Sequence, residues 1–178
     1  MKASITNQLF VTVGILWGSF AAAQATPPFG TDADVSFAGD SWTAMVELGL
    51  VGPAFEPAEV ERGFAPHGAF VEIISGQINV GDEDLEYWVK RNYGGEGISR
   101  ELVEEDRQAW LKAVTFMVKR PGYDPDNQDW FWVKYMPTGD LFTNPAGIPL
   151  AGRVAKGSSS GCISCHKNAP GDDYVFKN

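Results

Sequence analysis

The chain is poor in cysteine, histidine and positive charge. Its 178 residues include two Cys, two His, and 14 Lys and Arg against 23 Asp and Glu, for a formal charge of −9. Nucleic acid and anionic membrane surfaces are bound by concentrated Lys and Arg, so this balance argues against both. It suits a basic protein partner or a small neutral or cationic substrate. Histidine is too scarce to build a zinc centre alone: carboxylates would have to join Cys162, Cys165 and His166. No repeat or low-complexity tract is visible, and beyond residue 20 no segment is apolar enough to span a bilayer.

One apolar run does stand at the start. Residues 9–20 follow Lys2 and precede Ala21, Ala22, Ala23, Gln24 and Ala25, the pattern of a secretory signal cut after Ala25 or Ala23. The run is short for a membrane anchor. Removal of residues 1–25 is therefore expected, which leaves a single domain over 26–178 with a formal charge of −10. In a bacterium that domain would reside in the periplasm.

Both cysteines fall in Gly161-Cys162-Ile163-Ser164-Cys165-His166-Lys167. C-x-x-C-H is the attachment pattern of a c-type haem: each thiol adds across a vinyl group, and the adjoining His becomes the proximal iron ligand. A disulfide would not require the His, and a thioredoxin-like redox pair would sit in a βαβ context that this chain lacks. Export agrees with haem, since thioethers form on the far side of the membrane. One covalent haem c is the expected cofactor, and the six Trp, eleven Phe and five Tyr could wall a porphyrin.

Residues 26–39 read as an extended arm. Asp40 or Ser41 then caps a short helix with Trp42, Met45 and Val46 on one face and Gly49 as its stop. Residues 50–66 are loop, with a second short helix over 57–62. From His67 the period changes to two: a strand over 69–74 ends at a turn on Gly76, and another covers 86–93, with Tyr87, Val89 and Arg91 on one side and Trp88 and Lys90 on the other. A charged amphipathic helix over 99–108 precedes a hairpin of residues 111–120 and 130–136 across the turn at 121–127. Residues 157–161 are a flexible lead into the motif.

Twelve residues follow His166, and none is Met. A sixth iron ligand would have to come from Met45, Met117, Met136 or His67. Met117 and Met136 lie in apolar strands and read as core, and His67, between Pro66 and Gly68, reads as a turn or cap residue. A five-coordinate iron with one open face is the expectation.

The segments Pro66-His67-Gly68-Ala69-Phe70-Val71, Trp88-Val89-Lys90, residues 115–124, Asp129-Trp130-Phe131-Trp132, the C-x-x-C-H motif and Asp173-Tyr174-Val175-Phe176 together resemble the cytochrome P-460 family, which includes the cytochromes c′-beta. The segment 91–108 is longer and more acidic than the family pattern. The resemblance implies an α+β fold, mainly antiparallel β-sheet with a few short helices, one haem c per chain and a homodimer. It also implies one of two activities. One is oxidation of hydroxylamine, with a lysine bonded to a haem meso carbon. The other is binding of nitric oxide or carbon monoxide beneath apolar side chains. A plain electron carrier working with a redox partner protein remains the competing class.

Hydroxylamine oxidation needs a proton acceptor near the iron. Glu72 is the candidate because it interrupts an apolar strand, although a strand carboxylate equally faces water. Lys90, on the Trp88 face and aligned with the family's Val-Lys, is the candidate for the cross-link, although a strand lysine is commonly solvated. Lys112, Lys119 and Lys134 are weaker choices. Phe64, Phe70, Phe116 and Trp88 are candidates for the pocket wall.

Overall fold

A computed structural model describes residues 28–176, so the proposed signal at 1–25 lies outside the described residues. Among the described residues, no helix is long and apolar enough to cross a membrane. The fold is α+β and mainly sheet. Six antiparallel strands lie side by side in chain order: β1 (Glu61–Arg62), β2 (Phe70–Val80), β3 (Glu83–Tyr93), β4 (Leu111–Lys119), β5 (Trp130–Tyr135) and β6 (Ala151–Gly152). Helices α1 (Asp32–Glu47), α2 (Arg100–Glu105), α3 (Arg107–Trp110) and α4 (Cys162–His166) complete it.

Alternation along the strands divides the side chains between two faces. On the first, Val89, Val114, Phe116, Val118, Phe131 and Tyr135 pack against Phe37, Ala38 and Met45 of α1. On the second, Met117, Trp130 and Trp132 join Phe29, Val154, Ile163 and Val175. The register aligns the second face into rows: Lys90 lies between Ile73 and Thr115, and Met117 between Trp88 and Trp132.

Several elements depart from the sequence expectation. The helix starts at Asp32, inside the expected arm. Thr31 is its cap: Thr31 Oγ1 accepts from Asp34 N–H at 3.2 Å and Asp34 Oδ2 accepts from Thr31 N–H at 3.1 Å, a reciprocal capping box. Asp40 and Ser41 are mid-helix, and Val46 faces outward. Gly76 does not turn the chain. It lies mid-strand beneath the Tyr87 ring, where a Cβ would stand 3.3 Å from the ring, and the turn comes at Gly81. Residues 57–62 contain β1 instead of a helix, because Glu61 and Arg62 pair with Val71 and Phe70. The charged helix is two short ones, the second capped by Asp106 accepting from Ala109 N–H at 3.0 Å.

Near the start of the described chain, Phe29 bridges to Gly152, and Gly30 N–H donates to the Ala151 carbonyl at 2.7 Å. This ties the segment before α1 to β6, on the approach to the C-x-x-C-H motif.

Candidate haem site

The motif forms α4. An i, i+3 spacing puts two side chains on one face of a helical turn, so Cys162 and Cys165 stand together with His166 next in line. Ile163, 2% exposed, anchors the other side in the second apolar cluster. Both cysteines are free thiols, and burial pushes the Cys162 thiol up.

Two cavities meet at α4. The larger, about 690 Å³, runs along the second face of the sheet past Trp88, Thr115, Met117 and Trp132 to Cys162, a volume within the roughly 300–1,000 Å³ usual for cofactor sites. The smaller, about 340 Å³, is bounded by Phe64, Val71, Ile73 and Phe176. Pro66, His67, Lys90, Cys165 and His166 border both.

His166 is buried, with its Nδ1 2.7 Å from the Tyr174 carbonyl oxygen. Trp132 and Phe176 flank the ring edge to face, at 4.8 and 5.4 Å. Burial lowers its pKa against the opposing pull of that hydrogen bond. The imidazole is therefore neutral, with the Nδ1–H donated to protein and Nε2 free to bind a metal. His67 Nδ1 lies 3.4 Å from Thr115 Oγ1. Burial, then the charges of Lys90 and His166, lowers His67 to about 4. Burial also lowers Lys90, with Glu61 and Cys165 opposing.

The residues present fit a covalently held tetrapyrrole. Two thiols share one helical face beside a neutral imidazole, and a cofactor-sized, largely apolar cavity opens in front of them. The Trp132 indole, 2% exposed, borders that cavity, and its N–H has no protein acceptor among the described residues; a bound polar group would satisfy it. Among the described residues no three His, Cys, Asp or Glu side chains gather to hold a bare metal ion, so the zinc alternative lacks its ligand set.

Glu72 is not part of this site, and it does not face water either. It is fully buried on the first face of the sheet. Its carboxylate lies 2.8 Å from both Arg91 Nε and Arg107 Nε and accepts from Tyr93 O–H at 2.5 Å and Ala58 N–H at 3.0 Å. Phe70 and Phe116 likewise belong to the opposite core; Phe116 borders the larger cavity, but its ring pairs with Tyr87 at 6.2 Å. Phe64 borders the smaller cavity while 73% exposed. Met45 lies in the α1 core and Met136 is exposed, whereas Met117 borders the larger cavity. His67, which its neighbours marked as a turn residue, is in the site. Sequence reasoning passed over Trp132, although its alternation with Lys134 places both on the Lys90 side, and it assigned no role to Tyr174 or Phe176.

An antiparallel sheet with a C-x-x-C-H helix closing a tetrapyrrole-sized cavity on one face defines a c-type haem protein. The chain belongs to the cytochrome P460 family, whose model matches residues 88–177, half of the sequence. That stretch takes in Lys90, β4, β5 and the motif, while His67 and Glu72 lie ahead of it. No curated protein and no solved structure matches the chain.

Proposed function

We propose that this chain is an exported, periplasmic redox protein carrying one haem c, with Cys162 and Cys165 as covalent anchors and His166 as proximal ligand, and that it oxidises hydroxylamine or a related small nitrogen compound. The observation that supports this reading is the position of Lys90. Among the lysines the sequence offered, Lys90 borders both cavities beside Cys165 and His166, and its amine is pushed toward the neutral form by burial. Lys119 is paired with Asp173 at 2.8 Å, Lys112 lies in a separate groove beside Trp110, and Lys134 borders the larger cavity alone and stacks over Phe142 at 4.8 Å. The family resemblance couples hydroxylamine oxidation to a lysine–haem bond, and Lys90 is the amine this reading assigns to it.

When bound, the haem supplies an iron that exchanges single electrons and takes small ligands. The protein supplies an apolar wall from Trp88, Met117 and Trp132, and holds the proximal imidazole in one tautomer through Tyr174. The same reading makes the protein a homodimer, delivering electrons to a redox partner whose basic face matches the acidic surface.

Proteolysis of the holoprotein should release one haem bearing two peptides, one with Cys162 and Cys165 and the other with Lys90. The ferrous Soret band should lie well to the red of an ordinary haem c, and Lys90→Ala should restore the ordinary spectrum and abolish hydroxylamine oxidation. A single haem peptide with an ordinary spectrum would move the chain to the gas-binding alternative. The electron-carrier alternative is favoured by a different observation, the placement of His67.

A further inference from the structure

The His67 and His166 rings stand 6.1 Å apart, centre to centre, with their planes at 86°. A metal–imidazole bond is about 2.0–2.1 Å and the ring centre lies about 1.1 Å behind the bonding nitrogen, so two imidazoles on opposite sides of one ion have centres about 6.3 Å apart. Edge-to-face packing of aromatic rings covers about 4.5–7 Å, so the separation fits both arrangements, and the surroundings distinguish them. Open space flanks this pair, about 690 Å³ toward Met117 and Trp132 and about 340 Å³ toward Val71 and Phe176, with both rings bordering both spaces. Rings that met only to fill a core would have side chains in those places. Rings that grip the centre of a flat macrocycle need room on either side. His166 gives its Nδ1–H to the Tyr174 carbonyl at 2.7 Å, which leaves its Nε2 to coordinate, and His67 sets Nδ1 3.4 Å from Thr115 Oγ1 within a polar group that includes Asn92, with Nε2 as its coordinating nitrogen in this arrangement.

We propose that His67 is the second axial ligand of the haem iron in the resting protein, and that a small molecule reaches the iron only by displacing it. This rests on the haem reading above and adds a control to it: the iron is closed at rest, not open. The segment that carries His67 is fixed to the sheet. His67 N–H donates to the Phe64 carbonyl at 2.7 Å, Gly63 N–H to Ala69 at 2.9 Å, and Ala69 N–H to Tyr93 at 3.0 Å. Gly68 has φ +91°, and a Cβ there would stand 2.4 Å from the Tyr93 carbonyl oxygen, so no larger residue brings the chain this close to β3. The rival ligand is Met117, which borders the larger cavity alone.

The test uses the full chain with haem attached. Ferric wild type should give a low-spin electron paramagnetic resonance signal and the near-infrared charge-transfer band of two nitrogen ligands. His67→Ala should turn high-spin and return to low-spin with added imidazole. Its ferrous form should take up carbon monoxide at least about tenfold faster than wild type, because no internal ligand holds back the competent fraction. Met117→Ala should stay low-spin. A high-spin ferric wild type overturns the proposal, as does a low-spin signal that survives His67→Ala or is lost in Met117→Ala. The charge-transfer band is read on wild type, so the result stands if the variant loses haem. The lysine peptide tests the hydroxylamine reading separately: its absence with the His67 results intact removes that reading and keeps this one.

Discussion

His166 is positioned by its own chain, with its Nδ1–H given to Tyr174 and its ring set between Trp132 and Phe176. The thiols beside it carry the covalent claim. Protein denatured in a gel should keep its haem, and Cys162→Ala with Cys165→Ala should lose it; haem drawn intact from wild type by acid and organic solvent would refute the thioethers. Glu72 belongs to a different account. Removing its carboxylate leaves Arg91, 1% exposed, as a buried charge without its counter-ion, and breaking such a pair costs about 3–5 kcal/mol. Glu72→Ala should lower the urea midpoint accordingly and leave the haem spectrum unchanged. An altered spectrum with unchanged stability would return Glu72 to the iron. Sequence proposes the anchors because their chemistry is local: two cysteines and a histidine at fixed spacing in five positions. It misplaced Glu72 because a polar residue in an apolar strand reads alike whether it faces water, a cofactor or two arginines, and Arg107 lies 35 residues away.

At the scale of elements, strand alternation was legible where hydrophobic and polar residues take turns. It correctly put Trp88 and Lys90 opposite Tyr87, Val89 and Arg91. It was not legible at glycine, since Gly76 stays in β2 through its pairing with Tyr87, whose ring fills the space a side chain would take. Nor was the start of α1, whose Thr31–Asp34 capping box sits just past a Pro and Gly cluster that suggests extended chain. The 63–69 segment raises the same difficulty with more at stake. Pro66, His67 and Gly68 look like a turn and are one, yet the hydrogen bonds that hold the turn against β3 bring its His to the cavity. Gly68→Ala should therefore cost more than about 1 kcal/mol and shift the ferric haem toward high spin while the thioethers hold. A melting curve and spin state like those of wild type would show that the segment does not depend on that close approach.

Over the whole molecule, the two faces of one sheet do separate work. α1 and the buried Glu72 cluster cover one, and the other is left for a flat ligand, with α4 at its edge. The acidic balance read from composition says only what the surface repels; the division into faces needed the register. That register has a consequence for how the protein folds. Each strand from β2 to β6 pairs with the one before it, and such local pairings form early in folding. The sheet wall of the cavity can thus assemble from neighbouring segments without help from the C-x-x-C-H segment. The residues around Phe29 instead bridge to Ala151 and Gly152, far along the chain, and such a long-range closure forms later. Thiol attachment can therefore meet a binding wall that is already standing, and the long-range bridge from Phe29 to Gly152 fastens the stretch that leads into the thiols.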